Sequence, residues 1–204
     1  MAAYLSGHFF LLKTKNTIRY KLRKFLSKKT TLIGLLIICQ INILAKKMAS
    51  TYSQIYIHLI FAVKGRHSLI HSSWEEELYK YTTGIIQNKG QKLLAINGIA
   101  DHIHVLIGMK PVCCISDLVR EIKKSTYELV NKEKFSKYKF QWQEGYGAFS
   151  CSHSSIKNVI EYIQNQKEHH RKKTFKEEYV SFLSHYNVPF QPEYLFEFIE
   201  PSNE

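Results

Sequence analysis

Read for the spacing of its apolar and polar positions, the chain changes character at Met48. Beyond it, Ile55–Val63 (IYIHLIFAV) is a run of β-branched and aromatic residues, the pattern of a buried strand. Ser73-Trp74-Glu75-Glu76 has the form of a capping box, and Trp74, Leu78, Tyr81 and Ile85 then recur at helical spacing. Lys92–Ile99 and His102–Met109 read as two strands joined tightly around Asp101, with Pro111 ending the second. Ser116 is placed to cap a second helix running to about Asn131, with Val119, Ile122 and Leu129 on one face. Tyr138–Gly147 predicts another strand, Ile156–Lys172 a third helix, and Phe175–Ser184 a last amphipathic helix before a tail with Glu193-Tyr194-Leu195-Phe196. There are no internal repeats. The order β-α-β-β-α-β predicts an α+β fold of the ferredoxin-like or RRM-like kind: an antiparallel sheet with helices packed on one face, plus a C-terminal helix that carries Tyr162.

Charge adds less than its total suggests. The formal net charge is +12, but residues 1–47 hold ten Lys/Arg and no acidic residue, so the remaining 157 residues are nearly balanced. A polyanion-binding surface on residues 48–204 must therefore be a local patch. Within 1–47 the apolar run Thr31–Ala45 is about 15 residues, shorter than the roughly 20 that span a bilayer as a helix. It lies too far from the start for a signal peptide and has no A-x-A-like site after it. We read 1–47 as an N-terminal extension, with Met48 a second candidate start, and 48–204 as the functional domain. A membrane is not an expected partner. Cys39, Cys113, Cys114 and Cys151 form no C-x-x-C pair, which excludes a zinc ribbon and points to a reduced, cytoplasmic setting. Cys113 and Cys114 read as buried thiols.

Two groups of residues could carry chemistry. Side chains alternate across a strand, so His102 and His104 share a face and could form half of a divalent-metal site. With ten histidines in the chain, a His-x-His pair also arises by chance, and two hydrogen-bonded histidines on a polar sheet face satisfy the pattern equally. On the third helix, Ile156, Val159, Ile160 and Ile163 form a core stripe, and Tyr162 and Gln166, about 40° apart, flank it. An amphipathic boundary residue is the plain alternative for Tyr162. Taken together the groups make one mechanism. A phenol is a poor nucleophile at neutral pH unless the attacked group is polarised, and a metal held by two imidazoles and an amide oxygen supplies that polarisation to a phosphodiester. Attack by Tyr162 then leaves a 5′-phosphotyrosine and a 3′-hydroxyl, and no nucleotide cofactor is required.

Asp101-His102-Ile103-His104-Val105-Leu106-Ile107 resembles the His-hydrophobic-His motif of the HUH endonucleases. The segments Trp142–Ser150 and Tyr162-Ile163-Gln164-Asn165-Gln166 with His169-His170, the opening His58-Leu59-Ile60-Phe61 and the closing Thr174–Glu178 resemble one branch of them, the single-tyrosine transposases of the insertion-sequence 200/605 family. The likeness runs from about Met48 to Phe196. It implies metal ligation by His102, His104 and Gln166, nucleophilic attack by Tyr162, Mg2+ or Mn2+ as cofactor, and a homodimer acting on single-stranded DNA hairpins at the ends of a mobile element. The tyrosine helix could complete the site of its own subunit or of the other.

Arg120, Lys123 and Lys124 on the second helix, and Lys167, Arg171 and Lys172 after the tyrosine, are candidates to track DNA phosphates, although charged helix faces are often only solvated. Tyr146 and Phe149 could stack on bases, with core packing the competing role. His169 and His170 could be additional metal ligands, but one turn beyond Gln166 they are expected to contact solvent, DNA or a partner. Two other functions stay open: a domesticated relative that processes host hairpins, and a non-catalytic single-strand-binding module of ferredoxin-like fold, against which the coexistence of His102, His104, Tyr162 and Gln166 argues.

Overall fold

The computed structural model describes residues 52–65 and 69–198. The N-terminal extension expected at 1–47 lies outside them. Among the described residues no helix is long and apolar enough to cross a membrane.

The element order is β1 (Ile55–Ala62), α1 (Glu75–Asn88), β2 (Lys92–Gly98), β3 (His102–Met109), α2 (Ile115–Lys132) and β4 (Gly147–Cys151), followed by α3 (Ile156–Gln164), α4 (Gln166–His169) and α5 (Phe175–His185). The four strands form one antiparallel sheet in the order β2-β3-β1-β4, which is the ferredoxin-like arrangement expected from the sequence. β1 and β3 are central, and both of their faces are buried. Alternation therefore sorts their side chains into two different environments. Leu59, Phe61, Val63, Ile103, Val105 and Ile107 point into the main core, against Leu78 and Ile86 of α1 and Val119, Ile122 and Val130 of α2. His58, Ile60, Ala62, His102, His104 and Leu106 are buried on the opposite face, which α3, α4 and α5 cover. The register sets Ile60 opposite His104 and Ala62 opposite His102.

Several boundaries differ from the reading above, each for a local reason. The Ser73 box does not form: the Ser73 hydroxyl is engaged with His71 Nδ1 at 2.9 Å, and α1 begins after Trp74. The buried residues of α1 are Leu78, Thr82 and Ile86, while Tyr81 is 42% exposed, so the stripe runs at strict four-residue spacing from Trp74. Ser116 does not cap α2, whose N-cap is Cys114, and Val130 rather than Leu129 is its buried residue. The strand expected at 138–147 begins only at Gly147. Ahead of it, Asn131 takes both backbone groups of Phe140 with its side-chain amide, and Gly145 turns the chain at φ +72°, leaving a single bridge between Val63 and Trp142.

The helix expected over 156–172 is broken at Asn165. The Asn97 side chain on β2 donates to the Gln164 carbonyl at 2.9 Å, and the Glu168 amide bonds to Asn165 instead of continuing the helical ladder. A tight approach fixes the hairpin that carries the histidines. A Cβ on Gly98 would lie 2.2 Å from the His102 carbonyl oxygen and 2.8 Å from Ile103 Cα, so only glycine lets β2 come this close to the start of β3.

Candidate active site

The site is assembled on the second face of the sheet from β1, β3, α3, α4 and α5. His102 and His104 are fully buried on β3, and their outer ring nitrogens are held. His102 Nδ1 lies 2.6 Å from Asp101 Oδ1, which fixes a proton on Nδ1 and turns Nε2 inward. His104 Nδ1 is 2.9 Å from Nε2 of buried His58 on β1. Phe175 stacks flat on the His102 ring at 3.9 Å. Both Nε2 atoms are buried without a hydrogen-bond partner.

α5 delivers what those nitrogens face. Thr174 and Glu177 form a capping box that fixes the start of this helix. The next residue, Glu178, then points inward with Phe175 and Tyr179 and is 1% exposed. Its Oε2 is 3.3 Å from His102 Nε2, 3.4 Å from His104 Nε2 and 3.2 Å from His170 Nε2. Its Oε1 accepts a hydrogen bond from the Tyr162 hydroxyl and another, at 3.1 Å, from Gln166 Nε2. The Nε2 atoms of His102, His104 and His170 and a Glu178 oxygen lie within 4.8 Å of one another, a group that could hold a metal ion. Gln166 is fully buried, and its Oε1 is a further acceptor without a hydrogen-bond partner.

The four residues singled out from the sequence therefore come together within one chain. The structure adds two. The His170 side chain is only 5% exposed, contrary to the expectation that it faces outward, because the break at Asn165 turns α4 back over the sheet. His169 is less enclosed, packing edge-on to Tyr162. Glu178 was missed as a site residue. A carboxylate three residues after Phe175 and one before Tyr179 sits in the apolar stripe of α5, and a charge in such a stripe is the signal that could have found it.

Electrostatics follow from burial. Burial pushes the Glu178 carboxyl up, but the contacts from His102, His104 and His170 outweigh it and hold the group ionised, well below the usual carboxylate range. Burial pulls His104 down to about 4 against the opposing pull of Glu178, and it lowers His58 strongly. For His102 burial is outweighed by Asp101 and Glu178, and the net shift is upward. Burial, then the charge and hydrogen bond of Glu178, raise the Tyr162 phenol above its ordinary value. A cleft of about 640 Å³ opens beside Tyr162, walled by Phe182 and Tyr186 and by the polar side chains of Ser150, Ser152 and Asn158.

Compared with known families, residues 51–166, more than half of the chain, match the family described as transposase IS200 like. The chain belongs to this family. The ISDra2 transposase TnpA of Deinococcus radiodurans is 24% identical over 129 residues, spanning 60% of this chain and 91% of that protein. A crystal structure from Deinococcus radiodurans, also 24% identical, covers 59% of this chain and 97% of its own, with a TM-score of 0.46. A REP-associated tyrosine transposase bound to a REP hairpin is 14% identical, covers 61% of this chain and 74% of its own, and gives 0.47.

The remaining candidates of this IS200-like transposase are placed less simply. Lys123 is turned inward: its amine donates to the Gln143 carbonyl at 2.9 Å and to that of Gly145, and burial lowers it to about 8, opposed by Glu144. Arg120 pairs with Asp117, Lys167 with Glu75 and Arg171 with Glu168. Lys124 and Lys172 are exposed. Phe149 is core, 3% exposed, and Tyr146 packs against the main core. Cys113 is only partly buried and Cys114 is exposed, so the expectation of two buried thiols fails: both lie in the surface turn before α2.

Proposed function

We propose that this transposase cleaves and rejoins single-stranded DNA through a covalent bond to Tyr162, with a divalent metal held at His102, His104 and Gln166. The observation that carries the reading is the Tyr162 hydroxyl, hydrogen-bonded to a carboxylate whose other oxygen lies against the buried nitrogens of His102 and His104. Unpartnered acceptors at His102, His104 and Gln166 fit a cation. When bound there, Mg2+ or Mn2+ supplies Lewis-acid polarisation of the scissile phosphate.

The chain's own groups do the rest. Asp101 and His58 orient the two imidazoles so that Nε2 faces inward. Glu178 and α3 hold the phenol at the site, and the cleft beside it gives a strand access. In the cleavage step the Tyr162 Oη–P bond forms and the P–O3′ bond breaks, giving a 5′-phosphotyrosine. The phenol proton departs, and the leaving 3′ oxygen becomes a hydroxyl. Because the phosphotyrosine retains the ester, a 3′-hydroxyl can reverse the step without a nucleotide cofactor. Following the resemblance of its motifs to the single-tyrosine transposases, the substrate is a DNA hairpin at an element end, recognised by a homodimer.

The test is a labelled single-stranded hairpin drawn from DNA flanking the gene, incubated with Mn2+ or Mg2+ and resolved on a denaturing gel. A covalent adduct that needs metal and disappears in both Tyr162→Phe and His102→Ala is expected. An adduct that survives Tyr162→Phe overturns the assignment of the nucleophile. DNA binding with no adduct under any divalent metal overturns catalysis and favours a hairpin-binding module.

A further inference from the structure

Three imidazoles converge on one carboxylate oxygen, and their protons are largely accounted for elsewhere. His102 Nδ1 faces the Asp101 carboxylate, and His170 Nδ1 lies 2.8 Å from the Lys173 carbonyl, so both rings carry hydrogen on Nδ1. His104 Nδ1 faces His58 Nε2 at 2.9 Å, which turns the His104 Nε2 inward. The Nε2 atoms of all three rings face Glu178 Oε2 in a space closed to solvent, and those of His102 and His104 have no hydrogen-bond partner there, the arrangement of donor atoms that surrounds a cation. The spacing suits one. An ion with bonds of about 2.1 Å sets neighbouring ligands roughly 3.0 to 3.4 Å apart. Oε2 lies 3.2 to 3.4 Å from the three nitrogens.

We propose that Glu178 is itself a metal ligand and ties the metal to the nucleophile, Oε2 binding the ion together with His102, His104 and His170 while Oε1 holds the Tyr162 hydroxyl. This rests on the metal-dependent tyrosine reading above and changes its ligand set. A site of three imidazoles and one carboxylate favours a transition ion such as Mn2+ over Mg2+, which prefers oxygen and water. Gln166, whose Nε2 donates to the same Oε1 as the tyrosine, steadies the carboxylate from the side. Glu178 and Tyr162 then respond to the ion as one unit.

The experiment titrates the full chain with Mn2+ and follows the resonance of the unbound ion, with no DNA present. Glu178→Gln keeps the shape and removes the charge, and it should weaken Mn2+ binding by at least about tenfold, whereas Gln166→Ala should change it by less than about threefold. His170→Asn should weaken it as well, and Glu178→Asp should recover part of the loss. Mn2+ should also perturb the near-ultraviolet tyrosine spectrum of the wild type, and this signal should vanish in Tyr162→Phe and in Glu178→Gln. Glu178→Gln and His170→Asn binding Mn2+ as tightly as the wild type overturns the proposal. If the wild type binds no Mn2+, or His102→Ala binds it equally well, the underlying metal reading falls first. A full chain that retains Mn2+ only through Gln166 restores the original ligand set and refutes this one.

Discussion

Ile163→Ala tests whether the tyrosine helix is docked on its own sheet. Ile163 is the one fully buried side chain of α3, packed on Leu106 of β3 and Ala95 of β2. The rest of that cluster is only partly buried, so the docking of α3 is concentrated in this residue. Truncation removes three carbons, about 2.4 kcal/mol at roughly 0.8 kcal/mol per buried carbon, and leaves a cavity because the strands beneath cannot collapse into it. A total loss of about 3 kcal/mol is expected, inside the range of about 2 to 5 kcal/mol for such substitutions. Urea denaturation of metal-free wild type and variant, repeated over a wide range of protein concentration, measures it. Hydrogen exchange of the α3 amides shows whether the loss is global or confined to local undocking. A change below about 1 kcal/mol would refute the packing argument. So would a loss that grows on dilution, since it would mean that the helix docks across a dimer.

Other substitutions probe the frame around the site. Asp101→Asn should weaken Mn2+ binding by about 10–100-fold with little change in fold, because it replaces the charged carboxylate that holds the His102 ring with a neutral amide; an unchanged titration curve would count against that role. Gly98→Ala should cost about 1–3 kcal/mol in urea, since the new methyl meets backbone atoms that cannot move aside, and a neutral result would mean that the β2–β3 turn is looser than described. Metal-free protein should lose stability as the pH falls from 6.5 towards 4. The unfolded chain protonates His58 and His104 near 6.5, while folded His104 resists to about 4, a difference of about 3 kcal/mol for that ring alone. His102 works in the other window, stabilising the fold below 6.5 and losing that contribution as the pH rises through its raised folded value, and Glu178 is lost only below the ordinary carboxylate range. Flat stability between pH 6.5 and 4 would contradict the burial of the His58–His104 pair.

The central strands were readable because their composition leaves few alternatives. Ile55–Val63 and His102–Met109 are nearly unbroken apolar runs, and the alternation within His102-Ile103-His104 was enough to put both imidazoles on one face. The strand at the sheet edge was not. Residues 138–146 have strand-like composition, yet the Asn131 side chain claims the backbone of Phe140, a contact across nine residues that no local pattern reports. The break at Asn165 was hidden in the same way, since the group that terminates α3 is Asn97 on another strand. Tyr162 and Gln166 were found through their helical spacing and the family resemblance, but they reach the site from two separate helices. Glu178 stayed hidden and His170 was assigned outward because each gains its meaning only from groups that the fold carries to it from distant parts of the chain.

The sandwiching of β1 and β3 between two buried faces has a bearing on how this transposase could be altered. Each of these strands is written like two interleaved texts, odd positions for the core and even positions for the chemistry. Adding or deleting one residue in His102–Met109 would exchange the two, sending Ile103 and Val105 into the polar site and the imidazoles into the apolar core. Length can therefore be changed only where the backbone leaves the ladder, as in the exposed stretch 137–139 of the connection ahead of β4. A reporter peptide or an added DNA-reading segment belongs in such a connection, where it lengthens the chain without changing which face any strand residue serves.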